Sequence, residues 1–375
     1  MSFTVLATDP TSAARRGRLE LPHGTVETPI FMPVGTQGSV KTLHPAELDL
    51  LGAQIILGNT YHLWLRPGHE LIRDFGGLHG FTTWQKPFLT DSGGFQVWSL
   101  AKLRKITEEG VRFNNHIDGA KMLLTPELSM EIQASLGSDI AMLFDECPPY
   151  PCDEKYAANS LALTTRWARR CKDWITTHQP TSGTGLQKHF GIVQGSIYAH
   201  LREQSARELV DLDFDGYAIG GVSVGEPEEE MFRAIDNAVP FLPHHKPRYA
   251  MGLGTPPQIL EMISRGVDLF DCVMPTRLAR HGVAFTLDGP IQIKNQIHAK
   301  DPNPICESAH PHVASFSRAY LRHLFRAGEI LALRLLSFHN LHFYLRLTAG
   351  ARASIEAGSF PAFKNAFLQR YTRND

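Results

Sequence analysis

The sequence predicts an α/β fold, a TIM-like (β/α)8 barrel followed by a small C-terminal subdomain, and two observations favour the barrel. Short apolar runs recur along the chain, and each ends in an aspartate, asparagine, glutamine or glycine. Segments with helical spacing or helix-start signals separate the runs, which is typical of a parallel sheet with crossover helices. Eight such units over about 250 residues fit a closed barrel.

The candidate strands are the eight apolar runs, at residues 31–35, 55–59, 87–91, 140–145, 190–194, 217–220, 249–252 and 266–271. Helices are predicted between them, among others at residues 128–136, 155–178, 200–212, 227–241 and 257–265. An open doubly wound sheet is the structural alternative, but no GxGxxG motif opens a helix. We therefore favour the closed barrel.

The composition is that of a globular chain without a membrane span. The chain has 375 residues, of which 43% are hydrophobic and 20% charged, and its formal net charge is −1. No apolar stretch approaches the roughly 20 residues of a membrane span, and the first residues lack a secretory leader pattern. Five cysteines without framework spacing suit a reducing compartment. We expect a cytoplasmic protein without a membrane partner.

Positive charge is concentrated near the C-terminus. Residues 315–375 hold nine Lys and Arg against three acidic residues. Arg318, Arg322 and Arg326 are four residues apart and share one face of a helix. An ordinary solvated helix face is the simpler interpretation, and nucleic-acid binding is the alternative.

Asp91, Asp145 and Asp271 each end an apolar run, which predicts three carboxylates on one rim of the sheet. A single aspartate in that position is often only a helix N-cap. Three that converge are costly unless a substrate or a proton separates their charges. Two carboxylates beside a glycosidic bond can act as nucleophile and as acid or base. Chemistry at a sugar C1′ is therefore one natural use of this set.

A flat heterocycle is the ligand that the neighbouring residues suggest. Many glycines follow the same runs, where backbone amides can approach a ligand closely, although tight turns explain each of them singly. Gln194 and Asp145 offer a paired donor and acceptor, a pattern that suits the edge of a purine.

Six segments carry a family resemblance. They are Asp91-Ser-Gly-Gly-Phe-Gln96, Phe144-Asp-Glu-Cys147, Val193-Gln-Gly195, Gly220-Gly-Val-Ser-Val-Gly-Glu226, Met251-Gly-Leu-Gly-Thr-Pro256 and Phe270-Asp-Cys-Val-Met-Pro-Thr-Arg277. The chain resembles the tRNA-guanine transglycosylases over residues 15–344. The resemblance implies a barrel enzyme that exchanges guanine at wobble position 34 of tRNAs with GUN anticodons, those for aspartate, asparagine, histidine and tyrosine, for a 7-deazaguanine.

The resemblance also implies roles for individual residues. Asp271 matches the nucleophile that forms a covalent enzyme–tRNA intermediate, and Asp91 matches the general acid and base. Residues expected to bind the base are Ser92, Gly93, Gly94, Phe95, Asp145, Gln194, Gly221 and Met251. Residues expected to contact tRNA around a flipped-out nucleotide are Gly252, Thr255, Gln258, Thr276, Arg277 and Arg280. Cys147 and Val224 occupy the pocket for the 7-substituent, and this pair favours preQ1 (7-aminomethyl-7-deazaguanine) over queuine.

The sequence departs from the family at its structural zinc site. Ser308, His310 and Val313 stand where the family has cysteines, although the later histidine is kept as His339. A shifted site of Cys306, His310, His312 and His339 is one expectation, and complete loss of the metal is the other. The resemblance divides the chain into a barrel (1–285), a zinc-type subdomain that docks tRNA (286–345) and a helical tail on the barrel (346–375).

Two other functional hypotheses stay open at this point. A non-catalytic tRNA-binding partner subunit is one, although both Asp91 and Asp271 are present. A glycoside hydrolase is the other, and it is disfavoured because the predicted rim lacks tryptophan platforms. The family often acts as a homodimer, which we also expect here.

Overall fold

The computed structural model describes residues 3–100, 104–178 and 186–372, and its centre is a closed barrel of eight parallel strands. In chain order the strands are Ile30–Met32, Ile56–Gly58, Phe88–Thr90, Ile140–Met142, Lys188–Val193, Gly216–Ile219, Arg248–Ala250 and Leu269–Asp271. From the second strand onward each pairs in parallel with the next, and the eighth pairs with the first. The predicted barrel is confirmed.

The first two strands close the barrel through residues just beyond the first strand. Val34 bridges Leu57 in parallel, and the Gly35 amide donates to the Leu57 carbonyl at 2.7 Å. Each of the eight predicted apolar runs overlaps a barrel strand. The strands end before most of the polar residues that close those runs, so these residues lie at the carboxyl ends of the strands, where barrel chemistry is found.

The helices between the strands lie outside the barrel. Their bounds are Pro45–Leu50, Thr60–Leu65, His69–Asp74, Gly77–Thr82, Gly94–Leu100, Pro126–Leu136, Glu154–His178, Ala199–Asp211, Glu228–Asp236 and Pro256–Ser264. The helix predicted over residues 227–241 is interrupted, because an α-helix at Glu228–Asp236 is followed by a 3-10 turn at Val239–Phe241. Pro240 accounts for the break, since proline cannot donate within a helix. None of the described helices is long and apolar enough to cross a membrane.

An antiparallel sheet closes the amino-terminal end of the barrel. Its strands are Phe3–Thr8, Arg15–Leu21 and Gly24–Thr28. Its buried side chains join those of the barrel interior in one apolar cluster. Arg15 on this sheet pairs with the fully buried Asp268, which precedes the eighth strand. A ligand site is therefore left to the opposite, carboxyl end.

Two further parts extend from the barrel. A three-stranded antiparallel sheet, Arg104–Ile106, Val111–Asn114 and Lys121–Leu124, follows the helix Gly94–Leu100. After the eighth strand the chain forms Met274–Ala279, a hairpin of Val283–Thr286 and Gly289–Gln292, a 3-10 turn Gln296–Lys300, and the helices Pro311–Ala314, Arg318–Ala327, Ile330–Glu356 and Phe360–Tyr371.

The helix Ile330–Glu356 fastens the C-terminal region to the barrel. The ring of Tyr344 lies 4.8 Å from that of Phe31 on the first barrel strand, and its hydroxyl donates to the Gly254 carbonyl at 2.7 Å. Asn340 accepts a hydrogen bond from the Phe285 amide and donates to the Pro275 and Val283 carbonyls. This one helix is continuous across the predicted boundary between residues 345 and 346.

Candidate active site

A cavity of about 540 Å³ opens at the carboxyl ends of the barrel strands. All three predicted aspartates line it, although they come from separate strands. The other predicted residues that line it are Ser92, Phe95, Cys147, Gln194, Gly221, Val224, Met251, Gly252 and Arg277. The fold thus gathers these residues from the ends of six strands into one site.

Asp271 is held by two hydrogen bonds on the same oxygen. It ends the strand Leu269–Asp271, and its Oδ1 accepts from the Tyr249 hydroxyl at 2.6 Å and the Gly252 amide at 2.7 Å. Burial raises the pKa of Asp271, and these two bonds oppose that rise. A carboxylate with a fixed orientation, whose other oxygen accepts no hydrogen bond from the residues that the structure describes, suits a nucleophile.

Asp91 has a different environment, which suits proton transfer. Its Oδ1 accepts from the Thr60 amide at 2.8 Å, and its Oδ2 accepts from Gln96 Nε2 at 2.7 Å and from Asn59 Nδ2. Burial raises the pKa of Asp91 to about 6, the three bonds oppose that rise, and repulsion from Asp271 adds to it. A group that titrates near neutral pH can both give and take a proton.

Asp145 and Gln194 form the floor of the cavity. Asp145 accepts from Gln194 Nε2 at 2.7 Å and from Ser92 Oγ at 3.0 Å. Burial raises the pKa of Asp145 to about 6, so above that pH it is a carboxylate that accepts hydrogen bonds. Gln194 Oε1 is buried and has no hydrogen-bond partner among the described residues, so the amide has capacity left for a ligand.

The backbone beside Gln194 is fixed by a buried arginine. Arg202 donates to the carbonyls of Gly220 at 2.6 Å and Gly221 at 3.0 Å, and also to those of Val193 and Ser196. Gly221 has a φ of +59°, and a Cβ there would lie 2.4 Å from Gln194 Oε1. A side chain at position 221 would therefore collide with Gln194 at the cavity.

The turn after the third strand is similarly close to the cavity floor. Gly93 has a φ of +80°, and the Gly94 amide donates to Ser92 Oγ at 3.2 Å. A Cβ on Gly94 would lie 2.7 Å from the Asp145 carbonyl oxygen, so only glycine fits. Gly93 and Gly94 thus shape the turn that presents Ser92 and Phe95.

The side chains next to the floor are apolar and neutral. Cys147 is buried, and burial raises the pKa of its thiol well above the usual range, so it stays protonated. Val224 lines the same side, and Glu226 accepts from the Val224 amide at 2.9 Å. Phe95, on the helix Gly94–Leu100, is 42% exposed, and Met251 is partly buried; both line the cavity.

The predicted tRNA contacts fall into two groups. Arg277 is exposed and lines the cavity. Arg280 is partly buried, and its guanidinium donates a hydrogen bond to the Thr276 carbonyl. Thr276 is itself buried, and this burial argues against a direct contact with RNA. Thr255 and Gln258 form a capping box on the helix Pro256–Ser264, which organises the loop that begins at Gly252.

The chain is similar to known proteins over almost its whole length. A family model described as queuine tRNA-ribosyltransferase, TGT, matches residues 9–373. The chain belongs to this family. Proteins named queuine tRNA-ribosyltransferase are 53% identical in Pelotomaculum thermopropionicum (372 residues, 99% of either chain) and 55% identical in Symbiobacterium thermophilum (370 residues, 98% of this chain and 91% of the relative). The one from Caldanaerobacter subterraneus is 52% identical over 375 residues, 100% of this chain and 98% of the relative.

Members of this tRNA-ribosyltransferase family generally bind zinc, but the predicted shifted site is not assembled here. His339 Nε2 lies 2.7 Å from the Phe285 carbonyl oxygen, so one nitrogen is already engaged. The rings of His310 and His312 pack against Phe338, and Cys306 Sγ lies 3.4 Å from Ser308 Oγ. His339 Nδ1 is buried and has no hydrogen-bond partner in the described parts of the chain, a feature that suits a metal ligand. Among the described residues, the ligand atoms of these four do not lie together within metal-binding distance, so this donor set does not fit tetrahedral zinc.

One group in the described parts of the chain has ligand atoms close enough for a metal, and it lies elsewhere. His23, His79 and Asp139 meet at the amino-terminal end of the barrel. Asp139 there accepts from His23 Nδ1 and from the amides of His23 and Phe88, all at 2.9 Å. These hydrogen bonds already occupy the acceptor positions of the carboxylate. We therefore interpret the group as a structural contact.

No role was predicted from the sequence for four residues that the structure places around the two catalytic candidates. Asn59, Thr60 and Gln96 hold Asp91, and Tyr249 holds Asp271. The positions of Asn59 and Tyr249 near the site could have been predicted from the sequence, because both lie in predicted strand runs whose ends meet at the carboxyl rim. Thr60 acts through its backbone amide, and no side-chain pattern reveals that.

Asp145 is predicted to bind the base edge, so guanine affinity should fall as the pH drops through about 6, because a protonated carboxyl accepts fewer hydrogen bonds than a carboxylate. Calorimetric titration of guanine between pH 8 and 5 measures this. Asp145→Asn should bind about 10- to 100-fold more weakly at pH 8, the range for hydrogen bonds to a charged group, and should lose most of the pH dependence. An unchanged pH dependence in Asp145→Asn would assign the titration to another group.

Purified protein should contain far less than one zinc per chain, and chelation with phenanthroline should leave its melting temperature unchanged. The reason is that the donors Cys306, His310, His312 and His339 do not converge. Elemental analysis and thermal melting measure both quantities. Stoichiometric zinc that is lost in His339→Ala would contradict this geometry.

Proposed function

We propose that the protein exchanges guanine at wobble position 34 of GUN-anticodon tRNAs for preQ1, by double displacement through a covalent enzyme–tRNA intermediate. The observation that carries this is the pair Asp91 and Asp271, which are buried at one cavity in different hydrogen-bond environments. The activity is that of a tRNA-guanine transglycosylase, a pentosyltransferase.

In the first half of the reaction, Asp271 attacks the ribose C1′ while Asp91 protonates the departing guanine. The raised pKa of Asp91, about 6, leaves part of the population protonated near neutral pH. In the second half, Asp91 takes a proton from the incoming base, which attacks C1′ and releases Asp271. Two displacements on one carbon retain the configuration of the nucleotide.

The base is recognised by its edge and its faces. The Asp145 carboxylate pairs with the N1–H and amino donors of guanine, and the Gln194 amide and the Gly221 N–H serve the carbonyl side. Phe95 and Met251 cover the two faces, and the turn of Ser92, Gly93 and Gly94 supports Asp145. A base held in this way has left the anticodon stack, so the nucleotide is flipped out.

The tRNA backbone is held by basic groups around the cavity mouth. Arg277 and Arg280 are suited to the nucleotides beside the flipped one, and the loop Gly252 to Gln258 lies next to them. The subdomain at residues 286–345 supplies further charge, although Arg318 is committed to the Ile305 carbonyl and Asp301. Arg326 is exposed and better suited to phosphate.

A non-catalytic partner subunit is the less favoured hypothesis, because both carboxylates and their hydrogen-bond partners are intact.

The enzyme acts in the cytoplasm, where tRNA is modified, and works as a homodimer. Exposed Tyr320, Ile330 and Leu331 support a subunit contact. Sedimentation equilibrium that returns a monomer mass at micromolar concentration would reject the dimer.

Label from radioactive guanine should enter a GUN-anticodon tRNA and be chased out by unlabelled preQ1. Asp271→Asn and Asp91→Asn should each lower the rate by about 10⁴-fold or more, as loss of a nucleophile or a catalytic base does elsewhere. The exposed Asp173→Asn is the matched control and should leave the rate unchanged. Binding of tRNA without any incorporation by the parent protein would favour the partner-subunit reading.

The pocket should discriminate against queuine because Cys147 and Val224 fill the space beside the 7-position. Competition against labelled guanine should show inhibition by preQ1 and little by queuine. The double variant Cys147→Gly, Val224→Gly removes both side chains and should improve queuine relative to preQ1 by about tenfold or more. Equal inhibition by the two bases in the parent protein would overturn the preQ1 assignment.

A further inference from the structure

Tyr249 is a buried tyrosine whose hydroxyl reaches into the reaction site. It lies on the strand Arg248–Ala250, pairs with Leu269 on the neighbouring strand and is 1% exposed. Its hydroxyl donates to Asp271 Oδ1 at 2.6 Å, and the residue lines the cavity. Packing alone would be served equally well by phenylalanine, so the hydroxyl needs a separate explanation.

The two oxygens of Asp271 are unequal. Oδ1 accepts from Tyr249 and from the Gly252 amide, whose residue turns with a φ of +69°. Among residues 3–100, 104–178 and 186–372, no donor lies on Oδ2. Oδ1 is therefore the anchored oxygen, and Oδ2 is the one that can bond to carbon.

We propose that Tyr249 is a positioning residue that presents Asp271 Oδ2 to C1′ and favours release of Asp271 from the glycosyl ester. This inference rests on the proposed function, because it assumes that Asp271 is the nucleophile. In this role Tyr249 shifts the equilibrium between the free Asp271 carboxylate and the covalent intermediate.

The chemistry of the two steps explains the direction of the effect. In the first step the Oδ2–C1′ bond forms, the C1′–N9 bond breaks, and its electron pair leaves with guanine, which takes a proton from Asp91. Asp271 is then a neutral ester with Oδ1 as its carbonyl oxygen. In the second step N9 of the incoming base bonds to C1′, the electron pair of the Oδ2–C1′ bond returns to Asp271, and the N9 proton goes to Asp91.

Negative charge on Asp271 is thus lost in the first step and restored in the second. A hydrogen bond to a carboxylate is stronger than one to a neutral ester carbonyl. The Tyr249 hydroxyl and the Gly252 amide therefore stabilise free Asp271 more than the ester. Burial keeps the pKa of Tyr249 well above its usual range, so the phenol remains a donor throughout.

The test is the Tyr249→Phe variant, which removes only the hydroxyl and keeps the ring. Enzyme and a GUN-anticodon tRNA are brought to equilibrium at several guanine concentrations, and the covalent adduct is measured on a denaturing gel. The ratio of adduct to free enzyme should rise about tenfold at each guanine concentration. The kcat for guanine exchange should fall about tenfold, while the KM for tRNA should stay within about twofold.

Tyr217→Phe is the matched control. Tyr217 is also buried on a barrel strand, Gly216–Ile219, but its hydroxyl accepts from the Phe214 amide at 3.3 Å and lies away from the cavity. This variant should keep the parent adduct ratio, even if its melting temperature falls. An adduct ratio in Tyr249→Phe that equals or lies below the parent value would overturn the inference.

Failure of the inference and failure of the proposed function give different results. If the parent protein forms adduct and Asp271→Asn does not, the nucleophile stands, and an unchanged Tyr249→Phe rejects only the role of Tyr249. If the parent forms no adduct and exchanges no guanine, both proposals fall. If Asp271→Asn still forms adduct, another residue is the nucleophile and the role of Tyr249 falls with it.

Discussion

Closure of the barrel is the constraint on which the rest of this structure depends. The hydrogen bonds of Gly35 and Leu57 between the first two strands complete a ring in which every inner strand edge is paired. Because all eight strands run in one direction, their carboxyl ends meet at one end of the ring. Residues as far apart in sequence as Asn59 and Asp271 thereby line one cavity. An open sheet of the same strands would spread them along an edge.

The closed barrel also determines how the hydrogen-bond environments of the three carboxylates differ. Asp91, Asp145 and Asp271 are all buried, and burial raises the pKa of each. Their partners then separate their roles: Asp91 has three donors spread over both oxygens, whereas Asp271 has two donors on a single oxygen. The same residue type can therefore serve as acid and base, as ligand for a base edge and as nucleophile at one site.

The C-terminal region is fastened to this barrel by hydrogen bonds and apolar packing. Asn340 and Tyr344 tie the helix Ile330–Glu356 to the hairpin and to the loop at Gly254. Val313, which stands where the family has a zinc-binding cysteine, is fully buried in the apolar core. Arg318 holds the preceding loop through the Ile305 carbonyl and Asp301. Packing of this kind can take over what a structural metal does in a small subdomain, since both restrain the loop that connects two helices.

The sequence by itself determined the barrel and the three aspartates at its carboxyl rim. Apolar runs that end in polar residues are a local pattern, and a parallel barrel places all such ends together, so Asp91, Asp145 and Asp271 could be found without coordinates. Only the tertiary structure decided the partners of those residues. Which oxygen of Asp271 faces Tyr249, that Thr276 is buried, and that His339 bonds to Phe285 instead of meeting Cys306 all depend on contacts between distant segments. Such contacts are set by how the closed barrel brings those segments together, and no local pattern of residues encodes that geometry.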